Sequence, residues 1–244
     1  MILRSMLVFF LAIGSATAKT LTLAAEEDYY PFSAEVEGEL VGLVPEVTLA
    51  AFNAVGIEVD FRIGPYSRVL FLVESGDVVG GFTGAIDESN ESDFYWHSTP
   101  LSVVRLAIWA RAGFSKQSLT AKDMEGQKVS VTRGFFYTDA IDTNDEVRKI
   151  EAPSDASSLK MLALGRSDYA LVTEKIGRTI IRESGNTMAG NRLEIVGLIG
   201  EVPLFAFFSK AHPGGENAAR LFQEGFEIII ENGTYARIME RWQN

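Results

Sequence analysis

Four acidic side chains fall within the stretch GGFTGAIDESNESDFYW, Gly80 to Trp96: Asp87, Glu88, Glu91 and Asp93, with no Lys or Arg among them. Such a loop either meets the positive group of a ligand or lies in water as an acidic turn, the ordinary state of surface carboxylates. It follows VVGGF, which reads as a buried strand, and ligands of α/β proteins gather outside the carboxyl ends of strands. Aromatic residues occupy comparable positions: Tyr29, Tyr30 and Phe32 after the first strand, Phe82 beside Thr83 and Gly84 at the third, and Phe135, Phe136 and Tyr137 after TRG. An aromatic face holds a cation or an apolar group, and Tyr30 or Phe32 is the favoured cover for a ligand. Arg133 ends a strand where its planar guanidinium could take a carboxylate through two hydrogen bonds, or bridge two parts of the fold. Arg68, at a helix start, is a second candidate, with a structural ion pair as its alternative. Glu174 could receive an amino group, or simply open a helix, where the dipole favours acids.

The elements that must position these groups alternate in type. TLTLAAE, IEVDFRIG and VVGGF read as strands, separated by the helical patterns PEVTLAAFNAVG and YSRVLFLVESG. Pro45 suits a first helical turn and Gly56 a stop. This β-α-β-α-β order implies a parallel sheet flanked by helices. A long apolar strand, LSVVRLAIWARAG, interrupts the pattern before it restarts with KVSVTRG, a helix from about Tyr137, VRKIEA, SSLKMLALG, YALVTE and KIGRTIIRESG. PLFAFFSK is a second long strand, and two helices close the chain, separated at Gly233. Two such units joined by two long strands predict two lobes with a cleft between them. The expected division is 19–111 and 203–244 for the first lobe and 112–202 for the second, with hinges near Arg111 to Gly113 and Glu201 to Pro203.

Residues 1–18 read as a secretory signal: Arg4, the apolar run Met6 to Ile13 and the small-residue exit ATA, with cleavage expected after Ala18. The apolar run is shorter than the roughly 20 residues that span a bilayer. Net charge is −11, becoming −12 once Arg4 is removed, which argues against nucleic acid and anionic lipid as partners. The sequence has no cysteine, so disulfides and thiolate metal sites are excluded. His97 and His212 show no metal-like spacing, and no nucleophile elbow, zinc-protease or phosphate-loop motif occurs. No cofactor, metal or catalytic residue is expected.

The segments YYPFSAEVEGELVGLVPEV, GPYSRVLFLVESG, STPL, SLTAKDMEGQKVSVTRG, SLKMLALGRSDYALV and NGTYARIMERW, in this order and spacing, resemble family 3 of the bacterial extracellular solute-binding proteins. The likeness spans the mature chain. It implies a two-lobed α/β periplasmic-binding-protein fold of type II, each lobe a mostly parallel sheet, joined by two hinge strands. It also implies a periplasmic monomer that captures a small polar ligand, an amino acid or related amine or acid, for an ABC permease or a membrane sensor. Members commonly carry Thr-x-x-Arg after the third strand, the Arg pairing with the ligand α-carboxylate. Here Glu88 and Glu91 stand in those places. Phe136 stands where the family has a second-lobe Ser or Thr, and Thr173 where it has an Asp for the α-amino group, with Glu174 beside it. An aromatic of the first loop covers the ligand in the family. Three readings stay open: a relocated Arg, a cationic or neutral ligand met by the acidic loop, or a degenerate site. The alternatives of other classes are a secreted cyclohexadienyl or arogenate dehydratase-like enzyme using Glu174, and a ligand-free sensor or partner protein.

Overall fold

The computed structural model describes residues 20–114 and 116–243; the expected signal segment lies outside them. The chain begins with β1 (Thr20–Glu26), then a small antiparallel set of β2 (Asp28–Tyr29), β3 (Ser33–Val36) and β4 (Glu39–Val41). There follow α1 (Leu43–Ala54), β5 (Glu58–Gly64), α2 (Tyr66–Glu74), β6 (Gly80–Gly84) and β7 (Phe94–Trp96). β8 (Ser102–Arg111) leads to β9 (Lys128–Thr132), a single turn α3 (Asp139–Asp142), β10 (Arg148–Ala152), α4 (Asp155–Ala163), β11 (Tyr169–Thr173) and α5 (Glu174–Glu183). The return is β12 (Leu193–Ser209), and the chain ends in α6 (Gly215–Glu231) and α7 (Thr234–Gln243).

The strands hydrogen-bond in the order β10-β9-β11-β8-β12-β6-β1-β5. At one end β5, β1 and β6 run parallel, as the crossover helices α1 and α2 require. At the other, β10, β9 and β11 are parallel in the same way. Two antiparallel strands join the ends. β12 pairs with β8 from Leu193↔Arg111 to Leu204↔Ser102, then turns to β6 and β7 from Phe205 onward. The result is the expected two-lobed α/β architecture.

The joining strands differ from the expected hinges. β8 already pairs with β11 between Leu106 and Trp109, and the Arg111 guanidinium donates to the carbonyls of Leu162 (2.8 Å) and Ser167 (3.0 Å). Arg111 is therefore fastened to the second lobe. β12 is also far longer than PLFAFFSK. Its first half, Leu193–Glu201, carries two glycines (Gly197, Gly200) and two acids (Glu194, Glu201), a composition that hides a strand whose order comes from pairing with β8.

The first lobe is held by α1 against α6. A Cβ added at Gly225 would lie 1.9 Å from the Ala51 carbonyl oxygen, so the two helices touch backbone to backbone. Beside this contact Phe52, Phe208, Phe222 and Phe226 are buried, and His97 stands edge-on to Phe222 and Phe226. Its Nδ1 meets the Thr99 carbonyl at 2.7 Å, and burial lowers its pKa; this histidine packs in the core. Gly225→Ala is expected to destabilise by about 1–3 kcal/mol through forced separation of the helices. Thermal unfolding followed by circular dichroism checks this, and an unchanged melting temperature would contradict the contact.

Candidate functional site

The site forms where the carboxyl ends of β1, β6, β9 and β11 converge. Glu26 is the last residue of β1 and is 5% exposed. Thr83, near the end of β6, donates from Oγ1 to Glu26 Oε2 at 3.4 Å. Its φ is 65°, a conformation that a β-branched residue adopts only under constraint, at an order-of-magnitude cost of 1–3 kcal/mol. From the second lobe, Asp155 opens α4 and is 2% exposed. The Thr132 hydroxyl donates to Asp155 Oδ1 at 2.5 Å, while Oδ2 is buried without a hydrogen-bond partner.

Two buried carboxylates thus approach from opposite lobes. Burial is the main force raising the pKa of each; the negative charge of Asp155 further raises that of Glu26, and Asp28 that of Asp155. Hydroxyl hydrogen bonds from Thr83 and Thr132 oppose the rise but do not cancel it. Asp155 is pushed up to about 7.

Aromatic side chains meet across the lobes nearby. Tyr29 is buried, and its hydroxyl shares a 3.1 Å hydrogen bond with Thr173 Oγ1 across the lobes. Phe135 of the second lobe stands edge-on to Tyr29 (5.4 Å) and to Tyr66 (5.0 Å) of the first. The inner cavity bounded by Tyr29, Tyr66, Thr83, Phe135, Phe136 and Thr173 is only about 20 Å³. Outward of Phe135 it gives way to a chamber of about 830 Å³, within the size range of small-molecule sites. Tyr66, Leu70, Phe135 and Phe136 form its apolar side; Asp87 and Glu88 face it from the first lobe and Asp139 and Asp142 from the second. Among the described residues, no Lys or Arg lines either space.

The sequence candidates divide sharply. Thr83 and Phe135 line the inner cavity, and Glu88 lines the outer chamber. Tyr30 is 41% exposed and turns away to Trp242 (6.0 Å), and Phe32 packs in the core against Tyr29 (5.6 Å). Tyr29 is the first-loop aromatic at the cleft. Phe82 is fully buried against Phe61, and a Cβ at Gly84 would strike Phe207 and Trp96, so this glycine serves packing. Arg68 is exposed over Gly64. Arg133 is exposed and paired with Glu151 at 2.9 Å; neither arginine lines the cleft. Glu91 is exposed outside both spaces. Glu174 is held by Arg105 (2.6 Å) and Arg178 (3.0 Å). Asp87 orders its own loop, accepting from Ser89 N (2.7 Å) and Asn90 Nδ2 (2.8 Å).

A model of the bacterial extracellular solute-binding proteins, family 3, matches residues 21–244. The chain belongs to this family of solute-binding proteins. The L-cystine-binding protein TcyJ of Escherichia coli strain K12 is 23% identical over 233 residues, covering 91% of this chain and 82% of TcyJ. The arginine-binding protein ArgT of Corynebacterium glutamicum is 24% identical, covering 91% of this chain and 73% of ArgT. Among solved structures, a histidine kinase sensor domain similar to periplasmic binding proteins superposes with a TM-score of 0.82 at 25% identity, covering 92% of this chain and 96% of that domain.

Because Asp155 titrates higher in the folded protein than its ordinary value of 3.8, the folded state keeps a proton that the unfolded chain has released. Stability therefore falls as pH rises between about 4 and 7. Asp155→Asn is expected to flatten that slope and raise the melting temperature of the ligand-free protein at pH values above it. Parallel melting curves for the two proteins across this range would contradict the assignment.

Proposed function

We propose that this solute-binding protein captures a small organic cation, an amine or guanidinium compound, between its lobes. The observation that carries the reading is the pair Glu26 and Asp155, buried on opposite lobes and, among the described residues, without an ion-pair partner. A buried unpaired carboxylate is costly, and a ligand cation hydrogen-bonded to it removes that cost. The aromatic faces of Tyr29, Tyr66 and Phe135 suit the same charge, and the four acids around the outer chamber would draw cations inward. The arginine specificity in ArgT's name is consistent with guanidinium capture. An α-carboxylate, however, finds no basic side chain here, so a cation lacking one is favoured over an ordinary amino acid.

Binding would close the lobes about the crossing of β8 and β12, at Ser102–Arg105 and Glu201–Leu204, rather than at Arg111. The closed form would hand its ligand to an ABC permease after secretion of the monomer to the periplasm. The likeness to a kinase sensor domain supports a second use, in which the closed form addresses a membrane sensor. The dehydratase reading loses its central residue, since Glu174 is engaged by two arginines. We therefore assign no catalytic activity.

Calorimetry with agmatine, putrescine, choline and arginine tests the reading. Agmatine, which is arginine without its carboxylate, is expected to bind more tightly than arginine. Glu26→Gln and Asp155→Asn should each weaken cation binding by on the order of tenfold or more, as expected for loss of a buried charge-assisted contact. Tight arginine binding that survives both substitutions but is lost in Arg68→Ala or Arg133→Ala would overturn the proposal.

A further inference from the structure

On its other side the seam between the lobes has the opposite charge. Tyr30 and Pro31 of the first lobe, α1, α7 and the second-lobe helix α5 enclose a groove of about 460 Å³. Lys175, Arg178, Arg182 and Arg241 line it, against a single carboxylate, Glu46. Glu46 is committed within the groove wall: Arg241 pairs with it, and Trp242 Nε1 donates to its Oε2 at 2.7 Å. Arg178 is likewise paired, with Glu174 at 3.0 Å, which leaves Lys175 and Arg182 as the groove cations without an ion pair among the described residues. Lys175 reaches across the lobes to the Trp242 carbonyl at 2.9 Å, and Arg182 contacts the Thr179 hydroxyl at 3.5 Å. In a chain of net charge −11, this is a local reversal of sign at the one seam whose geometry depends on closure.

The groove and the cleft share their supports. Tyr29 and Thr173 meet in the cleft at 3.1 Å; their neighbours Tyr30 and Lys175 face the groove. When the lobes part, the hydrogen bond and the groove are lost together.

We propose that this groove binds an acidic, extended segment of the membrane protein that engages the closed form. The spacing favours a segment over a small anion. Lys175, Arg178 and Arg182 lie at i, i+3 and i+7 along one face of α5, a span of roughly 10 Å along the axis. An extended strand rising about 3.3 Å per residue places alternate carboxylates along that length, whereas one phosphate or citrate meets only part of it. The exposed ring edge of Tyr30 against Trp242 offers an apolar contact beside the charges.

This proposal rests on lobe closure and a membrane partner, but not on which solute fills the cleft. The test is titration of an oligoglutamate peptide into the mature protein at low ionic strength, read by tryptophan fluorescence and calorimetry. Binding is expected, with affinity falling on the order of tenfold in Lys175→Glu/Arg182→Glu, as for loss of rim charges. Putrescine binding by that variant should stay at the wild-type value, which separates failure of the groove from failure of the cleft reading. Phe135→Asp replaces the ring packed between Tyr29 and Tyr66 with a charge and is expected to open the lobes, as seen by small-angle scattering. Peptide binding should weaken there too, although no groove residue has changed. Absence of peptide binding, equal binding by the charge-reversed variant, equal affinity for citrate, or undiminished binding by an opened Phe135→Asp protein would each overturn the proposal.

Discussion

Glu26 and Asp155 lie buried on opposite lobes, and among the described residues neither carboxylate has an ion-pair partner; the proposed function rests on that constraint. In water each would be an unremarkable carboxylate. Burial strips their hydration; the charge of Asp155 adds to the rise at Glu26, that of Asp28 to the rise at Asp155, and Asp155 is pushed up to about 7. The hydroxyls of Thr83 and Thr132 provide single hydrogen bonds, too few for two charges. Asp155 Oδ2 is buried with no hydrogen-bond partner among the described residues, an acceptor that a hydrogen-bonding cation would satisfy.

The aromatic residues decide what size of group enters. Phe135 occupies the gap between Tyr29 and Tyr66, leaving an inner cavity of about 20 Å³ bounded by these rings, Thr83 and Thr173. A ligand head must displace this ring or come in with the lobes apart. The body of the ligand then has the outer chamber, apolar on one side and acidic on both lips. Closure is thereby a contest between the aromatic packing of the empty cleft and the charge pairing of the filled one. A ligand shifts that balance only by binding the closed form more tightly than the open one.

The fold was legible because its two βαβ units show plain periodicity, and because their order leaves few topologies for a parallel sheet. The hinge expected near Arg111 rests on reading one apolar run as one lobe's strand, whereas β8 pairs with β11 as well as with β12. Glu26 escaped notice because an acid ending an apolar strand looks like the beginning of a loop. Asp155 follows the Ser154 cap of α4, the ordinary place of a first-turn acid. Only the meeting of the two lobes, more than a hundred residues apart in sequence, gives either one its meaning. Tyr30 was chosen over Tyr29 for want of register: side chains alternate in extended chain, and one step separates the cleft from the outer groove. The acidic loop was half informative. Glu88 does face the chamber, but Asp87 is largely occupied in holding the turn and Glu91 points elsewhere.

The most direct test is a crystal structure of the secreted protein with whatever solute it retains from its native host. The account predicts a ligand nitrogen within hydrogen-bond distance of both the Glu26 and Asp155 carboxylates, with the Phe135 ring moved from between Tyr29 and Tyr66. A ligand carboxylate held by Arg68 or Arg133, with Glu26 and Asp155 making no contact to it, would contradict the account.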